Sequence, residues 1–200
     1  IAETEKYAHV TYFLNGGKEK PFLLEERMLI PSLPVSRFDE APEMRAREIT
    51  DTVLKEFKTF DVIIVNFANA DMIGHSGNFK AAVETVEILD ECLLRIKKAI
   101  EAEGGILIIT ADHGNIELKR DVISGEKRTE HSLNPVPFFM VNEKYRRKNP
   151  RTEEELKKIK EEPAGILTDV APTLLEILEI KKPDDMTGRS LLPTLLNPNI

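Results

Sequence analysis

The sequence predicts an α/β fold, and three observations carry that prediction. Two short apolar runs, Val62-Ile63-Ile64-Val65 and Ile106-Leu107-Ile108-Ile109, have the length of strands covered on both faces. Between them, Phe79 to Ala102 has the spacing of a long amphipathic helix, with Ala82, Val86, Leu89, Leu93, Ile96 and Ile100 directed inward and Gly104-Gly105 stopping it. Each apolar run then leads into a polar, glycine-containing segment. Strand, loop, helix, strand and loop imply a βαβ unit with a right-handed crossover. In open α/β sheets, ligands bind beyond the carboxyl ends of the strands.

The remaining elements follow in chain order. Tyr7 to Leu14 is rich in β-branched and aromatic residues and reads as a strand, followed by a turn at Asn15-Gly16-Gly17. Pro21 to Ile30 offers a second extended stretch, and Pro31, Pro34 and Pro42 mark an irregular linker. Met44 to Phe57 has Met44, Ile49, Val53, Leu54 and Phe57 at helical spacing. Val136 to Val141 reads as a further strand, and Glu153 to Glu161, in the charged segment Asn142 to Glu162, as a short solvated helix. Thr168-Asp169 caps a helix from Val170 to Ile180, with Pro172 tolerated in its first turn. The tail from Pro183 is rich in turn residues.

Composition narrows the function classes. The chain has 200 residues, 41% apolar and 32% charged, as is ordinary for a soluble globular domain. Its 28 basic and 35 acidic residues give a net charge of −7, which argues against a nucleic-acid partner. A small phosphorylated substrate stays compatible, because bound metal ions can supply positive charge locally. The single cysteine, Cys92, excludes a disulfide within the chain, fits a reducing, cytoplasmic compartment and reads as a buried small apolar residue. No apolar run approaches the roughly 18 residues of a membrane span. The chain opens Ile1-Ala2-Glu3 without a methionine, which reads as part of a longer protein.

The histidines carry the chemistry. There are four: His9, His75, His113 and His131. Asp71 stands four residues before His75, and Asp112 adjoins His113. Carboxylate oxygen and imidazole nitrogen are the usual ligands of divalent zinc, manganese or cobalt. Asp71 and His75 share a face if their loop makes a helical turn. Asp112 and His113 would point to opposite faces of a regular strand, so they converge only where the strand ends, at Gly114. A lone loop histidine is more often a surface or capping residue. Two Asp/His pairs at one predicted sheet edge, with His131 flanking the next strand, point instead to a metal site. His9, inside a predicted strand with no carboxylate at ligand spacing, reads as structural. Phosphate-binding and nucleophile motifs such as G-x-x-x-x-G-K-[ST], G-x-G-x-x-G, G-x-S-x-G and H-E-x-x-H are absent.

Five segments resemble one family, in order and at matching spacing: Ala2-Glu3-Thr4-Glu5-Lys6-Tyr7-Ala8-His9-Val10-Thr11, Asn66 to Asn78, Thr110-Ala111-Asp112-His113-Gly114-Asn115, Glu130-His131-Ser132-Leu133-Asn134-Pro135-Val136-Pro137, and Asp184 to Leu191. The chain resembles the C-terminal part of cofactor-independent phosphoglycerate mutases. Its Asp-His-Gly is shared across the alkaline-phosphatase-like superfamily, whereas the Lys6 segment and the loop before Asp71 are more specific. The resemblance implies an alkaline-phosphatase-like three-layer sandwich, with residues 1–200 as the C-terminal portion of its metal-binding domain. It implies two divalent ions, usually manganese, with zinc or cobalt as alternatives. Asp71, His75 and His131 would hold one, and Asp112 and His113 the second. Lys6 would be catalytic, reaching the phosphoryl group or the leaving oxygen. The implied reaction interconverts 3-phosphoglycerate and 2-phosphoglycerate in glycolysis, through a serine nucleophile carried by an N-terminal segment that this sequence does not contain. The family's inserted substrate domain is likewise outside it, so the chain alone is expected to be inactive and the intact enzyme monomeric. Two other readings stand beside this one: a related metal-dependent phosphomutase or phosphohydrolase, and a non-catalytic metal-binding module that docks to a separate N-terminal portion.

Overall fold

The computed structural model describes residues 1–121, 123–147 and 149–196, and the chain is α/β. It divides into two compact units: Ile1–Gly105 with Gly114–Leu133, and Ile106–His113 with the chain from Asn134 onward.

The first unit is mainly helical. β1 (Ala2–Glu3) pairs in parallel with β2 (Leu29–Ile30), in the register Ala2↔Leu29 and Glu3↔Ile30. A 3-10 helix, Thr4–Val10, leaves β1 directly. Then come α1 (Ala46–Glu56), the short α2 (Asn69–Gly74) and the long α3 (Phe79–Ala102). One buried cluster joins Met44, Ala68, Ile73, Ala81 and Ala82; another joins Ala46, Ile88 and Cys92, with Phe67 and Leu89 against it.

The buried residues of α3 are Ala81, Ala82, Thr85, Ile88, Cys92 and Ile96, at helical spacing, with Ala82 and Ile96 inside as expected. Val86, expected inside, is 50% exposed. The small side chains of Ala81, Ala82, Thr85 and Cys92 let neighbouring helices approach closely, so this face packs in preference to the bulkier one. Asn78 caps the start of α3, accepting from Ala81 N at 3.2 Å. At its end Gly104 takes φ +69°; Gly104 N bonds Glu101 O and Gly105 N bonds Ile100 O, a Schellman closure.

Two predicted strands of this unit do not form. Tyr7 to Leu14 is 3-10 helix and turn, because its backbone groups are met locally: Thr11 Oγ1 donates to Tyr7 O at 2.8 Å, and Phe13 N bonds Ala8 O at 3.0 Å. The run Val62 to Val65 is extended without a ladder. The Ile1 ammonium donates to Ile64 O, Asn66 N bonds Ile1 O, and Ala2 makes an isolated parallel bridge with Asn66. Pairing one or two residues deep leaves Val62 and Ile64 more than 40% exposed. The predicted βαβ unit is therefore not assembled among the described residues.

The second unit contains β3 (Leu107–Thr110) and β4 (Phe138–Val141), paired antiparallel from Leu107↔Val141 to Thr110↔Phe138. The strand expected to be fully covered is half-buried. α4 (Glu153–Glu161) has a Thr152/Glu155 capping box and no buried residue, matching its solvated reading. α5 (Val170–Ile177) stops short of Ile180, at a turn where Glu179 has φ +57°. Its start binds the tail: the Asp169 carboxylate accepts from Ile166 N and Arg189 N, and Thr173 Oγ1 accepts from Leu191 N at 2.8 Å. α6 (Leu192–Leu195) adds a turn of helix to the tail read as rich in turn residues. Among the described residues no helix is long and apolar enough to cross a membrane.

Two glycines separate conformational strain from collision. Gly104→Ala places a Cβ in open space, so it costs only the positive φ, about 1–2 kcal/mol. At Gly188 a Cβ would fall on the Thr168 carbonyl, which is backbone and cannot rotate away. Urea unfolding will show a clearly larger loss for Gly188→Ala than for Gly104→Ala.

Candidate metal centre

The centre described here lies within the first unit and is built on α2. The helix is pinned from below: Ala68 and Ile73 are in the core, and fully buried Asn69 donates its amide to Pro42 O and Glu43 O at 2.9 and 2.8 Å. The opposite face carries Asp71, with His75 four residues on, the helical turn that their spacing required.

The 3-10 helix after β1 brings in Lys6. It is tied by Ser32, whose hydroxyl donates to Glu3 Oε2 and accepts from Glu5 N, and whose N donates to Thr4 Oγ1. Lys6 Nζ meets Asp71 Oδ2 at 2.6 Å, both side chains being 15% exposed. Asn115 Nδ2 donates to Asp71 Oδ1 at 2.8 Å. His131 arrives on a segment held by the Gly114↔Ser132 bridge and by Glu117, which accepts from Ser132 Oγ with one oxygen and from Asn115 N with the other.

Three ligand atoms converge. His131 Nε2 is 3.1 Å from Asp71 Oδ1 and 3.1 Å from His75 Nε2, and His75 Nε2 is 3.2 Å from Asp71 Oδ1. The other nitrogen of His75 is 2.7 Å from Thr129 O. A carbonyl only accepts, so Nδ1 carries the hydrogen and Nε2 of the neutral ring is a lone pair. That lone pair faces a carboxylate oxygen and a second imidazole nitrogen. A cation between the three atoms would be met by all of them at once. Ligand atoms about 2.1 Å from a small divalent ion lie roughly 3.0–3.4 Å from one another, the spacing found here. The two imidazoles are about half exposed, which leaves them reachable from solvent.

Burial pushes the Asp71 carboxyl up, but hydrogen bonds from Lys6 and Asn115, with the charge of Lys6, outweigh it and hold the group well below the ordinary carboxylate range. Lys119 is pushed down by burial, opposed by the charges of Glu117 and Asp71.

The structure thus brings Lys6, Asp71, His75 and His131 together. Asp112 and His113 belong to the second unit, at the end of β3, with His113 Nε2 3.6 Å from Asp112 Oδ1. His9 lies in the 3-10 helix and packs edge-on against Phe13, 5.5 Å between ring centres, in keeping with a structural role. Sequence reasoning gave no role to Asn115, Lys119, Thr129, Glu117 or Asn69. Asn115 and Lys119 are four apart, but outside a helix that spacing carries no signal.

Residues 1–182 match the Metalloenzyme superfamily, and the chain belongs to it. It is 50% identical over 194 residues to a 2,3-bisphosphoglycerate-independent phosphoglycerate mutase of Pseudomonas fluorescens, covering 96% of this chain and 36% of that protein. The corresponding protein of Moorella thermoacetica is 49% identical over 192 residues, covering 96% and 35%. Among solved structures, Leishmania mexicana phosphoglycerate mutase at low cobalt concentration superposes with a TM-score of 0.77 at 33% identity, over 94% of this chain and 36% of that one. The chain therefore spans about a third of the length of these relatives.

The depressed pKa of Asp71 has a definite sign. Below its unfolded value, the folded pKa gives stability that is present above the ordinary carboxylate range and lost as pH falls through the folded value. Carboxyl ¹³C resonances will show Asp71 still ionised near pH 3.9, where free aspartates are half titrated. Lys6→Met and Asn115→Ala will each move its midpoint upward.

Proposed function

We propose that this chain is the metal-binding portion of a phosphoryl-transfer enzyme whose complete form interconverts 3-phosphoglycerate and 2-phosphoglycerate. The observation that carries the reading is the His75 lone pair, fixed by Thr129 and directed at Asp71 Oδ1 and His131 Nε2. Asp71, His75 and His131 would hold one divalent ion, and Asp112 and His113 would belong to a second site. Identity near 50% to named mutases across almost the whole chain supports the substrate assignment.

The bound ions, manganese above zinc or cobalt, would supply Lewis acidity toward a phosphoryl group and an incoming hydroxyl. The chain's own residues do the rest. Asp71 stays ionised through Lys6 and Asn115, Thr129 sets the His75 tautomer, and Lys6 holds an ammonium beside the cluster where an anionic phosphoryl oxygen can take it from Asp71. The serine nucleophile, further ligands and substrate-binding domain fall to the part of the relatives' length that this chain does not span. The location is proposed as cytoplasmic and the pathway as glycolysis, following the relatives' activity.

Calorimetric titration of the 200-residue chain with Mn²⁺ will show one clear site. His131→Ala abolishes it and His113→Ala leaves it nearly intact. Binding weakens as pH is lowered, because a protonated imidazole cannot ligate. The pure chain will not convert 3-phosphoglycerate; robust conversion overturns the division of labour proposed here. In the complete enzyme, Lys6→Ala will lower turnover a few hundredfold, about 3–4 kcal/mol, and will also destabilise the fold, because Asp71 Oδ2 loses its partner in a largely buried place. Near-normal turnover would make Lys6 a bystander.

A further inference from the structure

Lys119 belongs to no motif of the sequence, yet with Glu3 and Asp169 it is one of three buried charged side chains among the described residues. The residue is 4% exposed. Two of its three N–H groups are committed, one to Gly74 O at 2.7 Å and one to Asn115 Oδ1 at 2.6 Å. Both acceptors adjoin the centre. Gly74 is the last residue of α2, whose C-terminal carbonyls carry partial negative charge and receive a cation well. Asn115 is the donor to Asp71, through Nδ2 to Oδ1 at 2.8 Å and to the Asp71 carbonyl at 3.3 Å.

We propose that Lys119 is a positioning residue: its ammonium fixes which end of the Asn115 amide faces Asp71, and so sets the Asp71 carboxylate for metal binding. A side-chain amide has an accepting end and a donating end, and rotation by half a turn exchanges them. Flipped, Asn115 would aim its NH₂ at the Lys119 ammonium and its oxygen at the Asp71 carboxylate. Both contacts would become repulsive, in a place where burial makes unmatched polar groups costly. Lys119 therefore leaves one orientation, and in it Asp71 Oδ1 is held from the Asn115 side while Oδ2 is held by Lys6. The close approach of Asn115 to α2 is permitted because residue 74 is glycine; a Cβ there would overlap the Asn115 side chain. Outer partners of this kind typically change metal affinity 10–100-fold. The inference rests on the metal-site reading for its consequence, and on the hydrogen bonds alone for its mechanism.

The test uses the 200-residue chain and Mn²⁺ alone. Lys119→Met keeps length and removes charge and donors. It will weaken Mn²⁺ binding about 10-fold or more in calorimetric titration, and shrink the rise in Tm that saturating Mn²⁺ produces. A merely structural lysine would lower Tm equally with and without metal. Because Lys119 acts through Asn115, the double variant with Asn115→Ala will lose no more affinity than Asn115→Ala alone. Additive losses, or unchanged affinity in Lys119→Met, overturn the proposal. If Lys119→Met does not fold, Lys119→Gln takes its place with the same expectations, because its amide can offer either a donor or an acceptor and so selects neither orientation of Asn115. A metal-free readout separates this inference from the site reading. In the wild type, the Asn115 NH₂ will be protected from exchange and show NOEs to the Asp71 β-protons, and in the variant both will be lost. Those signals without any Mn²⁺ binding uphold the positioning role and overturn the metal site. Their absence in the wild type overturns the positioning role.

Discussion

Asp71 must stay charged while largely removed from water, and most of the polar architecture of the first unit follows from that requirement. An isolated carboxylate in such a place would take up a proton. Lys6 meets one oxygen and Asn115 the other, and the two imidazoles stand on the open side. Lys6, Asn115 and His131 come to Asp71 from three separate stretches of chain, so the carboxylate closes the unit across long sequence separations. Its own backbone cannot drift, because α2 is anchored through Asn69 and Ile73.

The packing beneath this site is matched to it. α2 lies close over α3 because the α3 residues in their shared cluster, Ala81 and Ala82, are small, and Gly74 lets Asn115 come against the helix end. Larger core residues would gain apolar burial but would lift α2, and with it the Asp71–His75 face. Tight helix contact here serves the placement of polar groups as much as it serves stability.

The sequence made the site more legible than the fold. Asp71 and His75 are four apart, and the helical turn they needed is there; His131, placed beside the next strand, reaches both. Such local spacings survive whatever the rest of the chain does. The long helix was legible in extent and largely in facing: Ala82 and Ile96 are buried as expected and Leu89 packs against the core, while Thr85 and Cys92 face inward and Val86 outward, because steric fit outranked hydrophobicity there. The strands fared worst. Val62 to Val65 has the composition of a covered strand, yet a strand is completed by its neighbours, and among the described residues only Ile1 and Ala2 pair with its end. Tyr7 to Leu14 satisfied its backbone locally instead. Asn115 and Lys119 were not legible as a pair, since what joins them is the path of an irregular loop.

The bridge between Gly114 and Ser132 lies at the foot of a hairpin that continues outward through Arg128 N to Lys119 O, Arg120↔Lys127 and Asp121 N to Glu126 O. Glu117 clamps the foot, while Ile123, Ser124 and Gly125 at the tip are exposed to solvent. Everything that His131 and Asn115 need for their placement is therefore closed off before the tip begins. Since doubling a flexible loop costs only about 0.6 kcal/mol in closure entropy, evolution is free to lengthen, shorten or decorate this tip. The hairpin separates a part of the chain that can vary from a part that cannot, and gives the molecule a place to acquire new recognition without disturbing its chemistry.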